Sequence, residues 1–205
     1  MSNSEPNELP IKLLGNFPKG LIFVVSAPAG TGKTTLVRKL TKEFPDVVQS
    51  VSYTTRQPRS KETTGMHYRF VTPEEFDARA SRGEFLESAK VFGHSYGTDK
   101  REVESLLKEG KHVVLVIDTQ GALQVKNKCP AVTIFVSPPS FKELRRRLEG
   151  RGAETAELIQ IRLANAAKEM ACIQEYDYHI INENLDATYQ VFKSVFIAEE
   201  HRVRK

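Results

Sequence analysis

Apolar residues along this chain fall into two kinds of pattern. Short unbroken runs, Leu21-Ile22-Phe23-Val24-Val25 and residues 112–118 and 131–136, alternate with stretches where apolar side chains recur at three- and four-residue steps, as at Leu36, Val37 and Leu40, or Phe141, Leu144 and Leu148. An apolar run of strand length is buried on both faces, whereas the three-four spacing gives a helix one apolar stripe. Together they predict an α/β fold, a parallel sheet covered by helices on both sides. The expected order is a strand at 21–25, a helix from Lys33, a strand at 47–52, a helix at 99–109 ending at Gly110 and a strand at 112–118. A helix from about Gly121, a strand at 131–136 stopped by Pro138-Pro139, a helix, a longer helix at about 154–175, a strand at 178–181 and a C-terminal helix follow. Between about 53 and 98 the alternation breaks: turn formers run through Gly65, a strand is expected at 67–71 and another at 85–92. Between those strands Thr72 caps a short helix, with Pro73 at its first position and Glu75 three residues after the cap. Residues 1–18, with Pro6, Pro10 and Pro18 among polar residues, are expected to form a loosely held leader.

In such sheets ligands collect beyond the carboxyl ends of the strands. The residues falling there after the first strand are Ala27-Pro28-Ala29-Gly30-Thr31-Gly32-Lys33-Thr34, with Thr35 next. Gly30 and Gly32 let the backbone turn tightly and aim successive N–H groups at phosphate oxygens, Lys33 adds a positive charge, and the Thr34 hydroxyl is placed to hold Mg²⁺. The helix from Lys33 presents its positive end to the same anion. The G-x-x-x-x-G-K-[ST] pattern has glycine where this chain has Ala27, so either that position needs no positive φ or the loop entrance is adjusted.

Further groups fall on other loops. Arg56 and Arg59, flanked by the hydroxyls of Ser52, Thr54 and Thr55, form a candidate second anion site, because guanidinium forks match phosphate oxygens. Glu87, Tyr68, Tyr96 and Thr98 lie in the interrupting segment; a carboxylate there can accept two hydrogen bonds from a base edge carrying adjacent N–H donors. Asp118 ends a strand, a position suited either to Mg²⁺ or to capping the next helix. Arg145, Arg146, Arg147 and Arg151 crowd around Gly150 and Gly152, and Arg162 follows, a composition that fits a mobile lid bringing positive charge over a transferring phosphoryl group.

Taken together the chain resembles the guanylate kinase family, through Ser52…Thr55-Arg56-Gln57-Pro58-Arg59, Tyr68, Glu87, Tyr96-Gly97-Thr98, Ile117-Asp118-Thr119-Gln120-Gly121, Pro138-Pro139-Ser140 and Arg147-Leu148-Glu149-Gly150-Arg151-Gly152. The resemblance runs collinearly over about 20–204. It implies a P-loop NTPase-type core at 19–52, 99–137 and 178–205, an inserted mixed α/β GMP-binding subdomain at 53–98 and a helical lid at 138–177. It also implies transfer of the γ-phosphoryl of ATP to GMP or dGMP with Mg²⁺. By the same resemblance Glu87 reads the guanine N1–H and amino group, Ser52 and Thr98 address its carbonyl side, and Arg56, Arg59, Tyr68 and Tyr96 hold the GMP phosphate, with Asp118 also in the GMP site. Lys33, Arg59, Arg151 and Arg162 are the implied catalytic residues. Residues 27–35, Arg147 and Asn182 are implied to bind ATP, and Thr34 to hold Mg²⁺ with Asp118 acting through water. Ala27, Ala29 and Val116, which stands where a further Asp is frequent, depart from the family pattern.

Composition narrows the alternatives. Thirty Lys and Arg against 26 acids give a net charge of +4 without long single-sign blocks, which suits small anions better than polynucleotides. Two cysteines, Cys129 and Cys172, are far apart and indicate neither a disulfide framework nor a zinc site. With no signal-like or membrane-length apolar stretch, the expected address is the cytoplasm. The rival expectations are a non-catalytic guanylate-kinase-like interaction module, disfavoured because Lys33 and the lid arginines are present, and a P-loop kinase for another phosphorylated metabolite.

Overall fold

The computed structural model describes residues 12–59, 62–150 and 155–203. In chain order the elements are β1 (Ile22–Ser26), α1 (Lys33–Glu43), β2 (Val47–Gln49), β3 (Tyr53–Thr54), β4 (Arg69–Phe70), α2 (Pro73–Ser81), β5 (Phe85–Val91), β6 (His94–Asp99) and α3 (Lys100–Lys108). They continue with β7 (His112–Val116), α4 (Thr119–Lys128), β8 (Val132–Ser137), α5 (Phe141–Glu149), α6 (Ala156–Ala171), a 3₁₀ turn at Ile173–Glu175, β9 (Tyr178–Ile181) and α7 (Leu185–Glu200).

Five strands form an all-parallel sheet in the order β2-β7-β1-β8-β9. Successive side chains of a strand point to opposite faces. Accordingly Phe23 and Val25 of β1 pack with Leu36, Val37, Leu40, Phe192 and Phe196 of α1 and α7. On the other face Ile22 and Val24 pack with Val103, Ala122 and Val125 of α3 and α4. This two-sided burial is why these strands read as unbroken apolar runs.

The interruption is a second sheet, ordered β4-β3-β6-β5, with a small core of Tyr53, Phe76 and Phe85. Its strand β6 is absent from the sequence reading, since His94-Ser95-Tyr96-Gly97-Thr98-Asp99 carries neither an apolar run nor a clean alternation. A hairpin turn supplies it: Phe92 and Gly93 both have positive φ, 49° and 82°, the twist that favours tight antiparallel return. Helices α5 and α6 form the third part, packed through Leu144, Leu148, Ile159 and Ala166. The long helix expected at 154–175 is α6 followed by the separate 3₁₀ turn.

The expectation of a loose leader through residue 18 fails for residues 12–18. Leu14 is 2% exposed, and the backbone N–H groups of Gly15 and Asn16 donate to Glu200 at 2.7 and 2.9 Å. Glu200 also accepts from Asn16 Nδ2 at 2.8 Å and meets His112 Nε2 at 2.5 Å. Because His112 Nδ1 accepts from Leu21 N–H at 3.1 Å, the ring proton of the neutral imidazole sits on Nε2 and points at the carboxylate. Local composition near Pro10 and Pro18 carries no sign of a partner at residue 200. Residues 1–11 of the expected leader lie outside the described residues.

Candidate active site

The turn after β1 is built as the sequence predicts. Gly30 and Gly32 have φ of 92° and 94°, whereas Phe92 is the one non-glycine with positive φ among the described residues, so Ala27 needs no special conformation and sits buried at the loop entrance. The loop is held from beneath. The Thr31 hydroxyl donates to the Pro28 carbonyl, and Asn182 Nδ2 donates to the Thr31 carbonyl at 2.6 Å. A Cβ on Gly32 would stand 2.6 Å from that amide nitrogen, and one on Gly30 would stand 3.1 Å from Leu148. Asn182, expected beside adenine, is 3% exposed and committed to shaping the loop. Gly32, the residue before α1, caps the helix without a side chain, leaving first-turn N–H groups for an incoming anion. Ala29 and Thr34 are exposed at the loop surface, while Pro28 is buried and Thr35 half-buried.

Lys33 Nζ lies 3.5 Å from the Ala27 carbonyl. Burial holds its ammonium below the usual range, opposed in part by the charges of Glu169 and then Asp118. Glu169, on α6, is pushed up to about 7 by burial, with Lys33 drawing it down and Asp118 pushing it up. The sequence reading passed over this carboxylate, yet it stands seven residues after Arg162, on the same face two helical turns along. Of the two uses open to Asp118, the capping one is visible in its hydrogen bonds. Its Oδ1 accepts from Gly121 N–H at 2.9 Å as the cap of α4, and its Oδ2 accepts from Gln120 Nε2 at 3.0 Å. Among the described residues no group of three or more carboxylates, imidazoles and thiols could hold a metal. The exposed Thr34 hydroxyl and the Asp118 carboxylate are hard oxygen donors, which fits Mg²⁺, an ion that usually keeps substrate phosphates and waters and takes one or two protein ligands.

The second sheet gathers the other predicted residues. Glu87 in β5 pairs in register with Thr98 in β6, and Tyr96 lies two residues along β6, on the same face at a rise of about 7 Å. Glu87 is 2% exposed, and burial pushes its carboxyl up to about 7 although Thr98 Oγ1 donates to its Oε1 at 2.6 Å. Thr98, expected to address the guanine carbonyl, thus spends its proton on Glu87 and orients it. At the other end of this face Arg56 lies 5.3 Å from the centre of the Tyr68 ring, and Tyr68 and Tyr96 meet edge to face at 5.8 Å. Glu62, missed in the sequence, receives Arg56 NH2 at 3.0 Å and Arg59 N–H at 2.9 Å. Its position three residues after Arg59 is the spacing of a reciprocal local turn, a signal that was available. The Arg59 side chain is exposed, and Ser52 is half-buried with its carbonyl taking Arg69 N–H.

On α5, in the region expected to form the lid, Arg147 donates to Glu143 at 2.7 Å and to the Asn182 carbonyl at 3.0 Å, tying the helix to the segment that supports the loop. Arg162 is half-buried on α6. Arg151 lies outside the described residues.

Comparison with known proteins bears on this geometry. The sequence model described as Guanylate kinase matches residues 19–199. A guanylate kinase of Protochlamydia amoebophila (strain UWE25) is 51% identical over 191 residues, covering 93% of this chain and 97% of that protein. The crystal structure of guanylate kinase from Anaplasma phagocytophilum matches with a TM-score of 0.76 at 36% identity, covering 91% of this chain and 89% of that one. The SH3-kinase fragment of tight junction protein 3 matches with a TM-score of 0.51 at 16% identity, covering 91% of this chain and 59% of that one, a likeness of fold alone.

Proposed function

Because this chain belongs to the guanylate kinase family, we propose a division of labour among its residues for the family's reaction, the ATP-dependent phosphorylation of GMP. The observation that carries it is the face of the second sheet, which holds a buried carboxylate, Glu87, and, two residues along β6 from its partner Thr98, an arginine-tyrosine cluster of Arg56, Tyr68 and Tyr96. Guanine presents adjacent N–H donors that a carboxylate accepts, and adenine does not. The Gly30–Thr34 turn and the start of α1 take the ATP phosphates through backbone N–H groups, with Lys33 supplying charge.

Phosphoryl transfer asks little covalent chemistry of the protein; alignment and positive charge lower the barrier. In this reading Arg59 and Arg56 hold the acceptor phosphate, and Arg162 and Arg151 close over the transferring group as the lid moves. No covalent enzyme intermediate is required, since the acceptor oxygen attacks the γ-phosphorus in line. Mg²⁺, held by Thr34 and approached by Asp118, would neutralise phosphate charge. The same face accepts dGMP, because the residues assigned to GMP address base and phosphate and none is assigned to the 2′-hydroxyl. We assign the reaction to the cytoplasm; the free thiols of Cys129 and Cys172 suit a reducing compartment, and among the described residues no helix is long and apolar enough to cross a membrane.

The test is a coupled assay of ADP release with GMP, dGMP, AMP, UMP and dTMP in parallel. Turnover with GMP and dGMP, and kcat/KM for AMP lower by about 10⁴, is expected for a site built around hydrogen bonds to the base. Comparable use of AMP would sink the assignment of Glu87.

A further inference from the structure

Helix α4 belongs to the core, yet one of its faces is applied to strand β5 of the insert at the three residues centred on Glu87. Strand β5 is an edge of its sheet, so alternate backbone groups turn away from β6 and are left for other partners. At Ser88 the partner is Gln124: its Oε1 accepts from Ser88 N–H at 3.2 Å and its Nε2 donates to the Ser88 carbonyl at 2.7 Å. That reciprocal pair is what a further strand would make. At Leu86 the carbonyl accepts from Lys128 Nζ at 2.7 Å. One turn before Gln124 on the helix is Gly121, where a Cβ would stand 2.6 Å from Glu87 Oε2 and 3.2 Å from its Cδ. Positions 121, 124 and 128 are three and four residues apart and share one face of the helix.

Thr98 holds Oε1 of Glu87, but on the other side the carboxylate rests against α4, where only a missing side chain leaves room for Oε2. We propose that Gly121 and Gln124 are positioning residues for guanine recognition. Gln124 sets the height of β5 against the core, and Gly121 lets the Glu87 carboxylate lie flat against the helix, aimed at the base. The inference rests on the reading of Glu87 as the guanine-binding carboxylate. It explains why a core helix carries a glycine in its first turn, where alanine would be the better helix former.

Gly121→Ala is the sharpest probe, because it favours the helix while pushing the Glu87 carboxylate aside. KM should be measured for GMP and for ATP, with kcat and the ratio of kcat/KM for GMP over AMP. A displacement of about an ångström at a recognition group is enough for losses of about a hundredfold. KM for GMP should therefore rise by at least about tenfold and the GMP/AMP ratio fall with it, while KM for ATP stays within about twofold and the melting temperature does not drop. Gln124→Leu, which keeps the volume and removes both bonds to Ser88, should shift the same constants in the same direction, and decides the matter should Gly121→Ala not fold. Unchanged GMP constants in these variants, or equal losses toward ATP and GMP, overturn the inference and leave the role of Glu87 intact. A wild-type protein that fails to prefer GMP over AMP overturns the reading of Glu87 beneath it.

Discussion

Glu87 has its carboxyl displaced upward from 4.5 to about 7, first by burial, with the Thr98 hydrogen bond pulling it down, Asp118 pushing it up and Lys128 pulling it down. An acid raised in this way binds its proton in the folded protein at pH values where the unfolded chain has released it. Its contribution to stability therefore declines as pH climbs from 4.5 through 7. Guanine binding has the opposite demand, because two N–H donors need the ionised form. The kcat/KM for GMP should rise by about tenfold per pH unit below a midpoint near 7 and level off above it. Glu87→Gln should lose the rising limb and, with one acceptor turned into a donor, use GMP at least about a hundredfold less well. Rate profiles for the two proteins check this; a rising limb that survives the substitution would put the titrating group elsewhere. Glu87 stood out in the sequence as a candidate site residue because a carboxylate in a half-buried strand can accept two hydrogen bonds from a base edge. Glu62 and Glu169 did not stand out, because glutamates in a turn and on a helix are ordinary; the spacing of Glu62 from Arg59 was a local signal, whereas Glu169 is set apart by its neighbour Lys33.

Among the elements, those with local chemistry were the readable ones. The cap of α2 at Thr72 with Pro73 next to it, and the end of β8 before Pro138, are written in adjacent residues, and the structure has both. Strand β6 gains its identity from pairing with β5 and β3, a non-local cause. The same is true of the join between α7 and the segment at 12–18, whose centre is the carboxylate of Glu200. Burial alone would push that carboxylate up, but its bonds to His112, Asn16 and Gly15 together hold it below the ordinary range. The sign follows: this contribution to stability is present above the unfolded value of 4.5 and is lost as pH falls through the lower folded value. Glu200→Ala leaves His112 and two backbone N–H groups without their acceptor and should cost about 3 kcal/mol. Urea unfolding at pH 7 and pH 4 checks both points: the loss should be large at pH 7 and smaller at pH 4. Equal losses at the two pH values would assign the effect to packing.

On the scale of the whole molecule, the proposed base site lies on the second sheet and the proposed phosphate site at the end of β1 in the first, and a ligand that binds the folded chain stabilises it by mass action. At a hundred times its dissociation constant GMP should add about 2.7 kcal/mol, seen as a rise in melting temperature. In Glu87→Gln the shift with GMP should shrink and the shift with ATP persist; loss of both would mean that the base pocket and the phosphate loop are not separable. The parallel core, the phosphate loop and the family were readable from sequence because each rests on short-range regularities: unbroken apolar runs, three-four spacing, and glycines at set distances from a lysine. Side chains distant in sequence, such as Thr31 and Asn182, Gly15 and Glu200, or Ser88 and Gln124, meet only after the chain has closed on itself. Their roles as loop support, anchor and clamp depend on directional hydrogen bonds between groups up to 185 residues apart, for which hydropathy along the chain has no register.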